Sequence, residues 1–213
     1  MIKVLAVNTS PRKGRNTDQL LDEVLAGCRS LPDVEITRMG VYEAAPEDFR
    51  YCRGCWACAK TGSCVCGDDF IKRIYDAVAE ADVVVFGVPV YFYGVTAQCK
   101  TIMDRALAYM PVGDGKVAAT AITCGSAGVA STFQAMQSFY NCNDFVDAGW
   151  VATYGKTKDK VKGKEVAYAL GRKAVRLAAV LKEAREAAAA SGDSEMLKDL
   201  EHSNHFAYGT HTF

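Results

Sequence analysis

A polar segment at residues 8–17, Asn-Thr-Ser-Pro-Arg-Lys-Gly-Arg-Asn-Thr, carries residue types that bind an anion. Ser10 and Thr17 are its candidate hydroxyl donors, and its positive charges belong to Arg12, Lys13 and Arg15. Hydroxyl and cationic donors close together on a short loop suit a phosphate group, which accepts several charge-assisted hydrogen bonds. The first candidate chemistry is therefore phosphate binding.

The cysteines form a second candidate site. The chain has nine cysteines, and five lie within one short segment, at Cys52, Cys55, Cys58, Cys64 and Cys66. Three thiolates at two-residue intervals can surround one compact cluster, and a fourth can follow the turn at Gly62. Four cysteines also hold structural zinc, although zinc sites usually place their cysteine pairs farther apart. Free or oxidised thiols are the third reading, and Cys66 is either a bystander or the fourth ligand in place of Cys64.

The phosphate-binding residues need a strand before them and a helix after them. The apolar, β-branched run at 2–7 predicts a buried strand, and apolar residues at helical spacing predict a helix at 18–30. Asn16 is the predicted N-cap, and Gln19 three residues later completes a capping-box pattern. Backbone N–H groups of the first turn should then point at the loop and favour an anion. A capped turn whose basic residues face water is the alternative.

Five predicted strands alternate with helices along the chain. The strands are predicted at 2–7, 34–39, 81–88, 117–124 and 146–154, and a long last helix at 163–190. This alternation with short loops predicts an α/β protein with a doubly wound, five-stranded parallel sheet. Right-handed crossovers and a phosphate loop after the first strand favour the strand order 2-1-3-4-5.

The loops after the first, third and fourth strands should open at one edge of such a sheet, where α/β proteins bind ligands. Aromatic residues follow the third strand, and small residues after the fourth strand let a flat ring approach the backbone. The candidate binding residues of these two loops are Pro89, Val90, Tyr91, Phe92, Tyr93, Gly94, Thr123, Cys124, Gly125 and Ser126.

The first loop resembles that of a known family. Ser10, Arg12, Asn16 and Thr17 match the Ser-x-Arg-x-x-x-Asn-Thr loop of the NADPH-dependent FMN reductase and iron-sulfur flavoprotein family. The resemblance implies a flavodoxin-like fold and a loop that holds the phosphate of FMN. It covers about residues 1 to 180.

The second loop strengthens this resemblance. The pattern Pro89-x-Tyr91-x-x-Gly94 is similar to the segment by which these flavoproteins place backbone and aromatic groups along the isoalloxazine ring. The similarity extends to Lys100 and the Asp104-Arg105 pair, although a helix pair of this kind more often forms surface or intrahelical salt bridges. The three loops together imply bound FMN, and a sugar-phosphate binder of the same fold is the alternative.

The cysteine segment resembles the four-cysteine motif of iron-sulfur flavoproteins. The resemblance implies that Cys52, Cys55, Cys58 and Cys64 ligate a 4Fe-4S cluster. Many flavodoxin-like relatives carry a similar Cys-x-Gly-Cys-x-x-Cys stretch, so the alternatives of free thiols and zinc stay open.

These cofactors imply an FMN-dependent oxidoreductase that transfers electrons between a 4Fe-4S cluster, FMN and a donor or acceptor. The implied donor is NAD(P)H or a ferredoxin-like protein, and the implied acceptor is a small molecule such as a quinone. The alternatives are an NAD(P)H-dependent FMN or quinone reductase without a cluster, and a non-enzymatic electron carrier or redox sensor. No side chain stands out as a catalytic acid or base.

Composition narrows the partners and the location. The formal net charge is zero and the pI is about 6.8, and the charges of both signs are interspersed. We therefore expect neither nucleic acid nor an anionic membrane as a partner. No apolar run reaches the roughly 18 residues of a membrane span, and Met1 leads directly into a strand, so a cytoplasmic protein is expected.

The expected organisation is one flavin-binding domain at residues 1–190 with a cysteine-rich insertion at 52–66. Residues 191–213 form a predicted C-terminal extension, in which a helical turn or two can start at Ser194. The last twelve residues contain three histidines and several aromatic residues, so we expect them to dock on their own subunit or on a neighbour. A homodimer or homotetramer is the expected assembly.

Overall fold

The computed structural model describes residues 1–200 and contains one five-stranded sheet. All strand pairs are parallel, and the spatial order is β2-β1-β3-β4-β5. The strands are β1 (Ile2–Asn8), β2 (Val34–Gly40), β3 (Val83–Pro89), β4 (Val117–Cys124) and β5 (Val146–Tyr154). The predicted doubly wound, flavodoxin-like fold and its strand order are therefore confirmed.

Seven α-helices connect or flank the strands within the described part of the chain. They are α1 (Asn16–Arg29), α2 (Ala57–Thr61), α3 (Phe70–Glu80), α4 (Ala97–Arg105), α5 (Val129–Cys142), α6 (Val161–Ser191) and α7 (Ser194–Asp199). Helices α1 and α6 cover one face of the sheet, and α3, α4 and α5 cover the other. None of the helices in residues 1–200 is both long and apolar enough to cross a bilayer.

The burial pattern of each strand follows from its place in the sheet. Strands β3 and β4 are buried along their whole length, as expected for central strands with helices on both faces. Strands β2 and β5 lie at the edges, and each mixes buried, half-buried and exposed positions. Because parallel strands end at one edge, the loops after β1, β3, β4 and β5 meet there.

Two apolar clusters hold the layers together. One joins Leu20 and Val24 of α1 with Leu170 and Ala174 of α6 beneath β1 and β3. The other joins Ile71 and Ile74 of α3 with Ile102 of α4 and Met136 of α5. Burying one such aliphatic side chain stabilises the fold by about 1.5–3 kcal/mol.

Helix α7 starts at Ser194, where a helical turn was predicted. Asp193 caps this helix by accepting from the Met196 amide, and Arg185 of α6 donates to the carbonyl of Leu200 at 2.6 Å. The predicted docking of the last residues, 202–213, lies outside the described residues.

Candidate functional site

Hydrogen bonds lock the loop after β1 to the loop after β3. The amide and the hydroxyl of Thr9 both donate to the carbonyl of Gly87, each at 2.9 Å. The hydroxyl of Thr96, which caps α4, donates back to the carbonyl of Thr9 at 3.1 Å. All of these groups are buried, so the first two loops form one rigid unit.

Thr123 joins the third loop to the other two. Its hydroxyl lies 2.8 Å from the hydroxyl of Thr17, and its carbonyl accepts from the amide of Val90 at 2.8 Å. Thr17 and Thr123 are both buried, whereas Val90 is half-buried. The three predicted loops therefore meet at the carboxyl edge of the sheet.

The predicted capping role of Asn16 is wrong. The N-cap of α1 is Arg15, which makes no side-chain capping bond, and Asn16 is the first helical residue. The Asn16 amide donates to the carbonyl of Gly155 at 2.8 Å, and its oxygen accepts from the amide of Thr157 at 3.3 Å. The side chain makes two bonds to the loop after β5 in place of one bond to its own helix. The part that this fourth loop plays was not predicted, although Gly155 directly after β5 indicates a turn there.

Asp18 organises the loop after β1, although it was not among the predicted site residues. Its buried carboxylate accepts from the side chain of Asn8 at 2.5 Å, from the amide of Gly14 and from the phenol of Tyr42 at 3.2 Å. It also forms an ion pair with Arg38 of β2. From sequence alone, Asp18 is an ordinary acidic residue in the first turn of a helix.

The cations of the first loop stay at the surface while its hydroxyls are buried. Arg12, Lys13 and Arg15 are exposed. Ser10 is buried, and its hydroxyl accepts from the Arg12 amide at 3.2 Å. The Arg12 guanidinium lies 5.9 Å from the ring centroid of Tyr91, which brings a cation of the first loop to an aromatic ring of the second.

The segment between Pro89 and Val95 is a tight turn with exposed aromatic rings. Tyr91 and Gly94 exchange backbone hydrogen bonds at 3.0 and 3.1 Å. Phe92 and Tyr93 between them have φ values of 47° and 66°, in the left-handed region. The Phe92 side chain is 98% exposed. Non-glycine residues in this region are strained, and such strain occurs often at ligand-binding sites.

Glycines leave open space beside these loops. A Cβ added to Gly14, Gly94, Gly125 or Gly155 would meet no atom within 4 Å. The Cys124 thiol instead turns into its own loop and donates to the carbonyl of Ala127 at 2.9 Å. The backbone at Gly125 and the exposed Ser126 are accessible from solvent. This edge of the sheet can accept an anion and a flat group.

The cysteine segment surrounds a separate cavity of about 130 Å³. Cys52 and Cys55 are exposed, Cys58 and Cys64 are half-buried, and Cys66 is buried. Helix α2 positions Cys58 and ends at Thr61, and the next residue, Gly62, has a φ of 68° that turns the chain toward Cys64. All five cysteines line this one cavity.

The thiols surround the cavity without converging on one point. Within residues 1–200, no group of three or more histidine, cysteine, aspartate or glutamate side chains is arranged to hold a single metal ion. Burial raises the pKa of Cys66, and the nearby Arg105 charge opposes that effect. Thiols are the ligand type of iron-sulfur clusters, and the cavity brings five of them around one volume.

Lys100 and Arg105 behave differently from each other. Lys100 forms an exposed ion pair with Asp104 on the same helix, in agreement with the salt-bridge reading. Arg105 is fully buried and pairs with Asp69, so the surface or intrahelical pair expected for it is wrong. The physical reason is that α4 ends against the cysteine segment, where an acidic helix cap is also buried.

Comparisons with known proteins agree with this architecture. The family model of NADPH-dependent FMN reductase matches residues 2–156. An iron-sulfur flavoprotein of Methanocaldococcus jannaschii is 30% identical over 200 residues, which cover 85% of this chain and all of that protein. An iron-sulfur flavoprotein of Clostridioides difficile is 36% identical over 104 residues, or 48% of this chain and 45% of that protein.

The extent of these matches varies. The chain spans about half the length of the Clostridioides difficile relative and of two iron-sulfur flavoproteins from Archaeoglobus fulgidus. Among solved structures, RosB with a bound 8-demethyl-8-formylriboflavin-5'-phosphate has a TM-score of 0.70 at 16% identity, covering 97% of this chain and 90% of RosB. At that identity the likeness shows the shared fold. The family model and the full-length relative show that the chain belongs to the NADPH-dependent FMN reductase and iron-sulfur flavoprotein family.

Proposed function

We propose that this protein is an FMN-dependent oxidoreductase of the iron-sulfur flavoprotein type. One observation carries the proposal: four loops join at one sheet edge with buried hydroxyls and exposed cations, and a separate cavity is lined by five cysteines. When bound, FMN exchanges electrons in pairs or singly, and a 4Fe-4S cluster carries one at a time. The two sites together suit a protein that couples two-electron and one-electron partners.

The first loop is the proposed phosphate site. Ser10 and Thr17 supply hydroxyls, Arg12 supplies an exposed cation, and the start of α1 supplies backbone N–H groups. Asn16 acts indirectly, since its bonds to Gly155 and Thr157 hold the loop against the end of β5. The fit is supported by the open space beside Gly14 and Gly155.

The second and third loops are the proposed ring site. Backbone and aromatic groups come from Pro89, Val90, Tyr91, Phe92, Tyr93 and Gly94, and a flat backbone surface comes from Thr123, Cys124, Gly125 and Ser126. The bond from the Val90 amide to the Thr123 carbonyl fixes the spacing between the two loops. Open space at Gly94 and Gly125 would admit a ring there.

The cysteine cavity is the proposed cluster site, with Cys52, Cys55, Cys58 and Cys64 as ligands. Thiolates are the ligands that such clusters use, and the four residues line one cavity. Cys66 is the buried fifth thiol of the same cavity. The chain's own contribution is to hold the four thiolates around one volume and to cover it with the end of α4.

The proposed electron donor is NAD(P)H or a ferredoxin-like protein, and the proposed acceptor is a small molecule such as a quinone. A homodimer or homotetramer is also proposed, with residues 1–190 as the flavin domain and 191–213 as the docking extension. The exposed Phe92 is one apolar group that a neighbouring subunit would cover. Steady-state turnover with NAD(P)H and a quinone tests the activity, since a mere electron carrier would give almost none.

A reductase without a cluster is the second candidate. It is favoured by the family model, and by thiols that do not converge as a single-ion site within the described residues. The visible spectrum of protein purified without air distinguishes the two candidates. Broad iron-sulfur absorbance beside the flavin bands supports the first, and flavin bands alone support the second.

The flavin assignment is tested by replacing Arg12 and Asn16 together with alanine. The double variant should lose bound FMN, because a phosphate loses charge-assisted bonds worth about 1.5–3 kcal/mol each and the loop loses its tie to β5. Flavin per chain is measured by absorbance after gel filtration. Arg176→Ala, which removes an exposed cation on α6, is the matched control and should keep its flavin. Full occupancy in the double variant would refute the assignment.

A further inference from the structure

Arg105, at the end of α4, is a buried cation. Its side chain and that of Asp69 are both 0% exposed, and the two form an ion pair. The Arg105 nitrogen Nη1 makes this ion pair and also donates to the carbonyl of Arg50 at 3.1 Å. Burial lowers the pKa of Arg105, but the hydrogen bond and charge of Asp69 raise it by more, so the guanidinium stays charged.

Two nitrogens of this guanidinium carry N–H groups without a well-formed hydrogen bond among residues 1–200. They are Nε and Nη2 of Arg105, and both are buried. The phenol of Tyr109 lies close enough for a weak hydrogen-bonding contact with Arg105, which leaves Nε and Nη2 without a well-formed bond in the described part of the chain. Burial raises the pKa of this phenol, and the charge of Arg105 and that contact oppose the rise. Leaving buried charged donors unpaired is costly, because they lose water without gaining an acceptor. A group that accepts from Nε and Nη2 would remove this cost.

The position of Arg105 indicates what that group is. Arg105 lines the cavity that the five cysteines also line, together with the apolar side chains of Val65, Leu107 and Ala108. Arg53 and Asp104 also line the cavity, but an arginine side chain accepts no hydrogen bond and Asp104 already pairs with Lys100. The sulfur atoms are therefore the main remaining side-chain acceptors near this cation.

Arg105 is also tied to both ends of the cysteine segment. Before the segment, Arg50 accepts from Arg105 through its carbonyl, and its own guanidinium donates to the carbonyl of Cys66 at 2.7 Å. After the segment, Asp69 pairs with Arg105 and caps α3 by accepting from the amide of Lys72 at 3.0 Å. One side chain therefore anchors the loop that carries all five cysteines.

We propose that Arg105 is a positioning residue of the cysteine cavity, and that its Nε and Nη2 donate to sulfur atoms of the thiolate-bound centre held there. The inference rests on the proposed function, since four thiolates give such a centre a net negative charge. Net charge and hydrogen bonds to sulfur set the reduction potential of an iron-sulfur centre. A fixed cation beside it stabilises the added electron, so Arg105 raises that potential.

The test replaces the pair rather than one partner, because Arg105→Met alone would leave Asp69 charged and buried. The double variant R105M/D69N keeps an asparagine at the cap of α3, where asparagine is a good N-cap. A second variant, Arg105→Lys, keeps the charge and loses the planar fork of donors. The matched control is K72M/D76N, which removes an exposed ion pair from α3.

The measurements are iron per chain, FMN per chain and the midpoint potential from a spectroscopic redox titration. R105M/D69N should keep its FMN. Its equilibrium constant for one-electron reduction should be at least tenfold lower, which corresponds to a midpoint potential lower by about 59 mV. Arg105→Lys should fall between this variant and the wild type, and K72M/D76N should equal the wild type.

The outcomes separate this inference from the proposed function. Iron-free wild type that retains FMN overturns the cluster and the role of Arg105 together. If the wild type contains iron and R105M/D69N has the same midpoint potential, the role of Arg105 alone is overturned. If the double variant does not fold, an unchanged potential in Arg105→Lys overturns it instead.

Discussion

At the scale of single residues, the cysteines occupy two different environments. Cys28 in α1 and Cys99 in α4 are buried among apolar side chains, and burial raises the pKa of each to about 12. Cys52 and Cys55 are exposed on the cysteine segment. The thiolate is the reactive form of cysteine, so these two groups should differ strongly in reactivity.

This difference gives a direct prediction for protein stripped of metal. At pH 8, iodoacetamide should modify Cys52 and Cys55 quickly and leave Cys28 and Cys99 unmodified, because a thiol of pKa 12 is only about 10⁻⁴ ionised there. Peptide mass spectrometry identifies the modified positions, and a sample in urea serves as the control in which all react. Comparable rates at Cys99 and Cys55 in the folded protein would contradict the burial described here.

Residue types were predictable from the sequence more often than residue partners. Isolated cysteines among helix or strand residues, such as Cys28 and Cys142, are expected to behave as small buried apolar residues. Cys28 is buried, whereas Cys142 is half-buried. Asn16 was predicted to cap α1 but bonds to a loop about 140 residues away, which no local capping rule indicates. Arg105 could not be placed for the same reason, since its partner lies on another helix.

At the level of the helices, the backbones of α1 and α6 lie in direct contact at two glycines. Gly27 of α1 lies against the backbone of Tyr168, and Gly171 of α6 lies against the backbone of Val24. A Cβ at either glycine would overlap a carbonyl oxygen of the other helix. The thiol of Cys28 donates to the carbonyl of Gly171 at 3.5 Å, which also requires this approach.

Gly171→Ala should therefore destabilise the protein although alanine favours helices. Forcing the helices apart should lower the free energy of unfolding by about 1–3 kcal/mol, as overpacking does in other cores. Urea unfolding followed by circular dichroism measures the change. Ala169→Met, which adds a larger side chain to the exposed face of the same helix, should change it by less than about 0.5 kcal/mol. Equal stability of Gly171→Ala and wild type would show that the contact is not tight.

The elements with continuous apolar runs were the ones the sequence predicted well. Strands β3 and β4, which have such runs, were predicted close to their observed ranges and are buried at every residue. Helix α2 was not predicted, since its five residues depend on left-handed turns at Trp56 and Gly62 rather than on an apolar face. Local periodicity carries no information about such turns.

At the scale of the whole molecule, one sheet supports two separate candidate sites. The first lies at the carboxyl edge and is built from four loops with their own hydrogen bonds. The second lies between the cysteine segment and the end of α4. Because different loops build them, each site should be removable without the other.

The central claim is that one chain holds both FMN and a 4Fe-4S cluster. The most direct measurement is the amount of flavin, iron and acid-labile sulfide in protein prepared without air, for the wild type, Cys55→Ser and the control Cys142→Ser. The wild type and the control should each contain one FMN, four irons and four sulfides per chain. Cys55→Ser should contain bound FMN without iron-sulfur absorbance. Wild-type protein that contains FMN but neither iron nor sulfide would contradict the account and leave a flavin reductase without a cluster.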